Sequence, residues 1–166
     1  MPRFIRFIGY KKLVPEAQAP YQKYVTDAGY DLTAVSINET EDYIEYGTGI
    51  ALEIPKRMVG LVFPRSSVTE NDLMLKNCVG VIDSHYRGEV RCRFYNTKEH
   101  LDYVQLDLFN GTSNHIHQPR LNRKLYKVGD RVCQIIFLTL PELKLIEKEE
   151  LSSTDRGDGS FGHTGK

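Results

Sequence analysis

The stretch Gly80-Val81-Ile82-Asp83-Ser84-His85-Tyr86-Arg87-Gly88 closes one short apolar run, residues 78–82, and leads into another, residues 90–95. Each run has the length of a single strand and is rich in β-branched or aromatic residues, and the glycine-framed polar stretch between them suits a tight turn. The segment therefore reads as a strand entering a turn, with Asp83 projecting from the strand end as a candidate base. Outward from this unit the same signature recurs: residues 4–8, 49–54, 59–63, 103–109, 132–140 and 143–146 are short, apolar and bounded by turn formers. No long helical apolar stripe is present. The one helix expected is a turn or two over residues 67–75, with Ser66 or Ser67 capping its start. Many short strands at this spacing predict an all-β chain, a β-barrel or jelly-roll-like sandwich with one short helix and no internal repeat.

A chain of 166 residues is long enough to bury about 70% of its unfolded surface as one domain without disulfides or metal. Formal net charge is zero, so the overall balance favours neither nucleic acid nor an anionic membrane, and any anion binding must be local. Cys78, Cys92 and Cys133 are odd in number and set in apolar or strand-like contexts, which reads as buried free thiols in a reducing compartment. The apolar N-terminal stretch is interrupted by Arg6 and closed by Gly9. It is too short and too charged for a signal peptide or a membrane span, so the expected location is the cytoplasm of a bacterium or of a virus- or phage-infected cell.

Residues 1–151 are expected to form the domain, with two regions of different character. Residues 98–127 mix an alternating strand (Val104, Leu106, Leu108) with a polar stretch, and read as a surface hairpin or loop inserted on the barrel. His115 and His117 within it have metal-like spacing for a strand, but no cysteine or carboxylate flanks them closely, and a solvated loop is the default over zinc. Residues 152–166 are glycine-rich with almost no aliphatic residue. Such a tail cannot build core and is expected to be flexible until something binds.

Five segments carry chemistry: Asp27-Ala28-Gly29-Tyr30-Asp31-Leu32, Pro64-Arg65-Ser66-Ser67, residues 77–88, Gly129-Asp130-Arg131-Val132-Cys133-Gln134, and the tail Arg156-Gly157-Asp158-Gly159-Ser160-Phe161-Gly162-His163-Thr164-Gly165-Lys166. Each has an ordinary explanation as a turn, a strand-to-helix junction or a disordered end. Their chemistry is nevertheless complementary. Arg65 and Arg156 supply forked donors, and Ser66, Ser67 and glycine N–H groups supply short neutral ones, which suits a polyphosphate. Asp31 and Asp83 could hold Mg2+ or its waters, and the rings of Tyr86 and Phe161 could meet a base and a sugar. A nucleoside triphosphate fits this inventory.

Taken in order, the five segments resemble the five signature motifs of the trimeric deoxyuridine triphosphatases (dUTPases), from about Asp27 to the C-terminus. The third and fifth motifs are the specific ones. The resemblance implies hydrolysis of dUTP to dUMP and pyrophosphate, which limits uracil incorporation in DNA and supplies dUMP for dTMP synthesis. It implies Asp83 as the base that activates the attacking water and Gln134 as the residue that helps hold it. Asn77 and the backbone of Gly80, Val81, Ile82 and Asp83 would lie against uracil, with Tyr86 beneath deoxyribose, leaving no room for a 2′-hydroxyl. Arg65, Ser66 and Ser67 would grip the phosphates, and Asp31 would reach Mg2+ through water. The tail would close with Arg156 and Thr164 near the γ-phosphate, Gly162 and His163 between, and Phe161 over the base. A homotrimer with sites shared between subunits is implied as well.

The chain departs from the family pattern in three ways. His163 stands where serine is usual, Cys133 replaces a usual alanine, and the stretch after Asn96 is longer than in compact members, as in some phage-type ones. A protein partner could contact the 98–127 insertion. Two rival readings remain: a deoxycytidine triphosphate deaminase, although no matching glutamate is evident beside residues 77–86, and a regulatory module that keeps this fold to bind a protein.

Overall fold

The computed structural model describes residues 6–97, 103–107, 112–116 and 123–160. Among them lie eleven strands: β1 (Gly9–Lys12), β2 (Tyr30–Thr33), β3 (Ser36–Glu39), β4 (Ile44–Glu53), β5 (Met58–Pro64), β6 (Leu73–Leu75), β7 (Gly80–Ile82), β8 (Glu89–Asn96), β9 (Tyr103–Asp107), β10 (Thr112–Ile116) and β11 (Arg131–Thr139). All pairings are antiparallel. One sheet runs β1-β4-β8-β6 with β3 also on β4, a second runs β2-β11-β5-β7, and β9 pairs with β10 as a separate hairpin within residues 98–127. The chain is all-β, as the strand-length runs predict, with two sheets closing on one core in a jelly-roll-like sandwich.

Period-2 alternation explains which side chains enter that core. On β8, Val90, Cys92 and Phe94 are buried while Glu89, Arg91 and Arg93 take the other face. On β11 the neighbours Val132 and Cys133 are both fully buried, which strict alternation forbids. The pairing with β2 shifts register between Arg131 and Cys133. The extra residue of this bulge turns two successive side chains inward and leaves Gln134 on the opposite face from Ile135. Cys92 and Cys133 meet across the two sheets with their sulfurs 2.6 Å apart. A hydrogen bond from Cys92, with burial, pushes the Cys133 thiol up, so Cys133 remains a thiol. The rings of Tyr46, Phe94 and Tyr126 pack edge to face beside them, and burial pushes the Tyr46 phenol up to about 12.

Several sequence expectations need correction. The helix over 67–75 is a single 3-10 turn, Ser66–Glu70, followed by strand β6. Arg65, not a serine, holds the cap position, and no side chain caps the turn. Leu73 and Leu75 alternate with exposed Met74 and bury against β8, so packing overrides the local helical tendency. Residues 143–146 are not a strand: Leu143, Leu145 and Ile146 are 79%, 97% and 72% exposed, because a strand without a paired neighbour has nothing to satisfy its ladder. Residues 6–8 precede β1 rather than forming it, and residues 1–5 lie outside the described residues. Cys78 is exposed, in a turn ahead of β7.

Residues at both ends of the 98–127 stretch are fastened to one residue. The Thr97 N–H donates to the Asp72 carbonyl at 2.9 Å, and the Lys124 N–H donates to the Asp72 carboxylate at 2.7 Å. Asp72 directly follows the loop that carries Arg65, Ser66 and Ser67. No described helix is long and apolar enough to cross a membrane.

Candidate functional site

The first group of predicted residues gathers at the end of β7. That strand pairs with β5 through Gly60↔Ile82 and Val62↔Gly80. The chain then turns, the Tyr86 N–H donating to the Asp83 carbonyl at 3.0 Å. Arg87 braces the turn by donating to the Ser84 and Tyr86 carbonyls at 2.7 and 2.8 Å. Asn77, Val81, Ile82, Asp83 and Tyr86 line one pocket of about 500 Å3. The Asp83 carboxylate is exposed and makes no hydrogen bond or ion pair with any described residue. An unencumbered carboxylate beside a pocket can accept a proton from water.

Tyr86 is held by what lies under it. Its hydroxyl donates to the Glu89 carbonyl at 3.0 Å, and its ring lies against Gly88 so closely that a Cβ there would sit 2.6 Å from Cζ. Asn77 reaches the pocket from a tight turn in which Cys78 takes a left-handed φ of 58°.

Sequence reasoning did not find the rest of the pocket wall, which is charged. Lys76, Glu45, Glu89, Arg91 and Arg93 complete it. The signal for Glu89, Arg91 and Arg93 is the odd-numbered alternation along β8, opposite Val90, Cys92 and Phe94; Glu45 and Lys76 carry no such local signal. Glu45 is buried between Arg91 Nη1 at 2.9 Å and Arg93 Nε at 2.7 Å. Burial alone would raise its carboxyl, but hydrogen bonds and charge from Arg93 and Arg91 outweigh it and hold the group below its ordinary value. The same pairing, led by the hydrogen bond to Glu45, raises both guanidinium groups. Glu89 accepts from the Gly49 N–H at 2.7 Å and from Arg91 at 2.8 Å, so its carboxylate is already engaged.

The second group lies on the far side of β5, around β2 and β11. The Asp31 carboxylate accepts from Arg65 Nε at 2.7 Å and from Arg131 Nη1 at 3.0 Å. Arg131, whose role its motif alone did not reveal, also stacks over the Tyr21 ring at 4.9 Å. Arg65 Nη1 donates to Ser67 Oγ at 3.3 Å, and Ser67 Oγ is 2.9 Å from the Tyr126 hydroxyl. Ser66 is exposed at the tip of the loop. Gln134 donates to the Pro64 carbonyl at 3.1 Å, and a Cβ on Gly29 would come within 2.7 Å of its Oε1. Glycine at position 29 is thus what lets Gln134 lie against β2.

The structure brings each group together but does not join them. Asp31, Arg65, Ser66, Ser67 and Gln134 are not among the residues lining the Asp83 pocket, and β5 separates β7 from β11. Arg156 sits on an exposed turn and donates to its own Gly159 carbonyl at 2.9 Å. Phe161, Gly162, His163 and Thr164 lie outside the described residues.

Among the described residues no cluster of three or more His, Cys, Asp or Glu side chains could cage a metal directly. Asp31 fits Mg2+ at one remove. Each of its oxygens takes one arginine, which leaves each a lone pair for a metal-bound water, and Mg2+ keeps several waters beside phosphate.

The dUTPase family model matches residues 15–106 and 121–165 of this chain. The break falls inside the 98–127 stretch. The deoxyuridine 5'-triphosphate nucleotidohydrolase of Finegoldia magna is 33% identical over 163 residues, covering 93% of this chain and 97% of the relative. The enzyme of that name from Paramecium bursaria Chlorella virus 1 is 33% identical over 159 residues, covering 93% and 95%. Among solved structures, the Staphylococcus bacteriophage 80alpha dUTPase with dUPNHPP superposes with a TM-score of 0.72 at 27% identity, covering 98% of this chain and all of that one.

Proposed function

The chain belongs to the dUTPase family, and we propose from that premise that it hydrolyses dUTP to dUMP and pyrophosphate. The observation that carries this reading is the pairing of an exposed Asp83 carboxylate, which no described residue engages, with the braced Tyr86 ring in one pocket.

In the reaction, water attacks the α-phosphorus, a new P–O bond forms, the bond from the α-phosphorus to the α–β bridging oxygen breaks, and pyrophosphate leaves. Asp83 takes the proton of the attacking water, and Gln134 helps orient that water. Asn77 and the backbone from Gly80 to Asp83 read uracil, and Tyr86 occupies the space a 2′-hydroxyl would need. Arg65, Ser66 and Ser67 hold the phosphates, and their charge-assisted hydrogen bonds offset the negative charge that builds in the transition state. Bound Mg2+ would supply further charge compensation on the triphosphate, with Asp31 accepting from its water shell. Residues 152–166 form a tail that closes over the nucleotide with Arg156, Phe161, Gly162, His163 and Thr164, excluding bulk water.

Two features support an oligomer in which sites are shared. The base-reading and phosphate-gripping groups lie apart on one chain. The arm after β11 exposes Leu143, Leu145, Ile146 and Leu151, a run of apolar side chains that favours cover by another chain. A homotrimer satisfies both, with the Asp83 pocket of one subunit facing the Arg65 loop of a neighbour and the tail reaching across. The enzyme works in the cytoplasm of a bacterium or an infected host cell, and the 98–127 insertion presents a surface to a protein partner.

The deciding experiment measures pyrophosphate release from dUTP, dTTP, dCTP and UTP with Mg2+. Turnover of dUTP should exceed that of each competitor by at least about 100-fold, the scale that unfilled or clashing polar contacts impose. Ammonia released from dCTP, or equal turnover of all four, defeats the reading.

A further inference from the structure

Tyr126 lies in no recognised motif, yet it connects the core to the phosphate-gripping loop. It is 6% exposed. Its ring packs against Tyr46 and Phe94 with centroids 6.0 and 6.2 Å apart, and its carbonyl accepts the Tyr46 hydroxyl at 3.2 Å. A phenylalanine would fill that space equally well. What it would lack is the hydroxyl, which sits 2.9 Å from Ser67 Oγ.

The hydrogen-bond inventory then fixes where the protons go. Burial raises the Tyr126 phenol, so it stays protonated, and among the described residues Ser67 Oγ is the hydrogen-bond partner of its hydroxyl. Either oxygen of this pair could donate, but the buried phenol has no other acceptor among the described residues, so its proton is partnered only when it points to Ser67 Oγ. Arg65 Nη1 donates to the same oxygen at 3.3 Å. Asn71 also donates to the Ser67 carbonyl at 2.9 Å and anchors that residue's backbone. A serine hydroxyl has two acceptor lone pairs and one proton. With both lone pairs engaged, Ser67 is left with its O–H to donate, and an anion oxygen is the partner that this polarity favours.

We propose that Tyr126 is a positioning residue of the phosphate half-site, which orients the Ser67 hydroxyl as a donor to a phosphate oxygen. The inference rests on the dUTP reading only in taking that anion to be the nucleotide's polyphosphate. It assigns a function to the segment that leaves the insertion, since Tyr126 lies two residues beyond Lys124, the residue fastened to Asp72.

The test uses the full chain carrying Tyr126→Phe, Ser67→Ala or both. It measures kcat and KM for dUTP, calorimetric affinity for inorganic tripolyphosphate, and the thermal midpoint. Loss of one hydrogen bond to a charged group is expected to raise KM and the tripolyphosphate Kd about tenfold in Tyr126→Phe. In the Ser67→Ala background the same change should add less than about twofold, since the two hydroxyls act as a unit. Equal losses with and without the Ser67 hydroxyl would mark a packing effect and overturn the proposal, as would unchanged KM and Kd. A wild-type protein that binds tripolyphosphate but does not turn over dUTP would remove the dUTP reading while the Tyr126 effect is still measured. One that turns over dUTP with no response to Tyr126→Phe would remove only this inference.

Discussion

Gly88 and Tyr86 show how one residue's absence of a side chain sets another's position. The Tyr86 hydroxyl bonds to the Glu89 carbonyl only because nothing projects from Gly88 into the ring. Gly88→Ala would push the ring off its seat while leaving Asp83 intact. The expected outcome is a fall of about tenfold or more in the dUTP-over-UTP preference of kcat/KM, with kcat for dUTP changed far less. Preference kept at the wild-type level in Gly88→Ala would show that Tyr86 does not set sugar choice. At this scale much was legible: Asp83 and Tyr86 stood out between Gly80 and Gly88, Asn77 followed from the resemblance to the dUTPase motifs, and the three line one pocket. Tyr126 was not marked, because its part depends on a hydroxyl contact with Ser67, fifty-nine residues away in the chain.

At the scale of elements, β4 is buried along nearly its whole length, and β8 meets it with Val90, Cys92 and Phe94 on one face and with the Arg91 and Arg93 side chains that hold Glu45 on the other. Of β4 only residues 49–53 fall within the strand-like run read at 49–54, since Glu45 and Thr48 look like loop residues in isolation. Both are buried because β8 satisfies them: Glu45 through its two arginines and Thr48 by donating to the Val90 carbonyl at 2.7 Å. The pH dependence follows in sign. The folded-state value of Glu45 lies below the ordinary 4.5, so its stabilisation is fully present above that value and is lost as pH falls through the lowered one. Glu45→Gln should cost about 1–2 kcal/mol at neutral pH, less than a fully buried pair because the arginines are half exposed. Its thermal midpoint should then fall less steeply than that of the wild type below about pH 4.5. Parallel midpoint curves for the two proteins from pH 7 to 3 would refute the assignment.

For the whole molecule, the decisive question is how the Asp83 pocket and the Arg65–Asp31–Arg131 group come to act on one substrate. If they meet between subunits, Asp83→Asn and Arg65→Ala, each inactive alone, complement when co-assembled. Random mixing in a trimer leaves about a quarter of the sites with both wild-type halves. Activity near that fraction in mixed assemblies is the expected result, with sedimentation reporting the trimer and circular dichroism confirming both variants folded. Mixtures as inactive as their parents would place both halves of each site on the same chain.

The sequence by itself determined the all-β class, the strand-length apolar runs that become β8 and β11, and the five chemical segments, because those depend on local composition and on residue type at short spacing. Only the tertiary structure decided that residues 66–75 form a 3-10 turn and a strand, that residues 143–146 stay unpaired, that β11 carries a bulge turning Gln134 away from the core, and that the segments fall into two separate groups. Each of these depends on which strand edge finds a partner and which side chain finds room. Those contacts join residues far apart in the chain, and no local pattern records them.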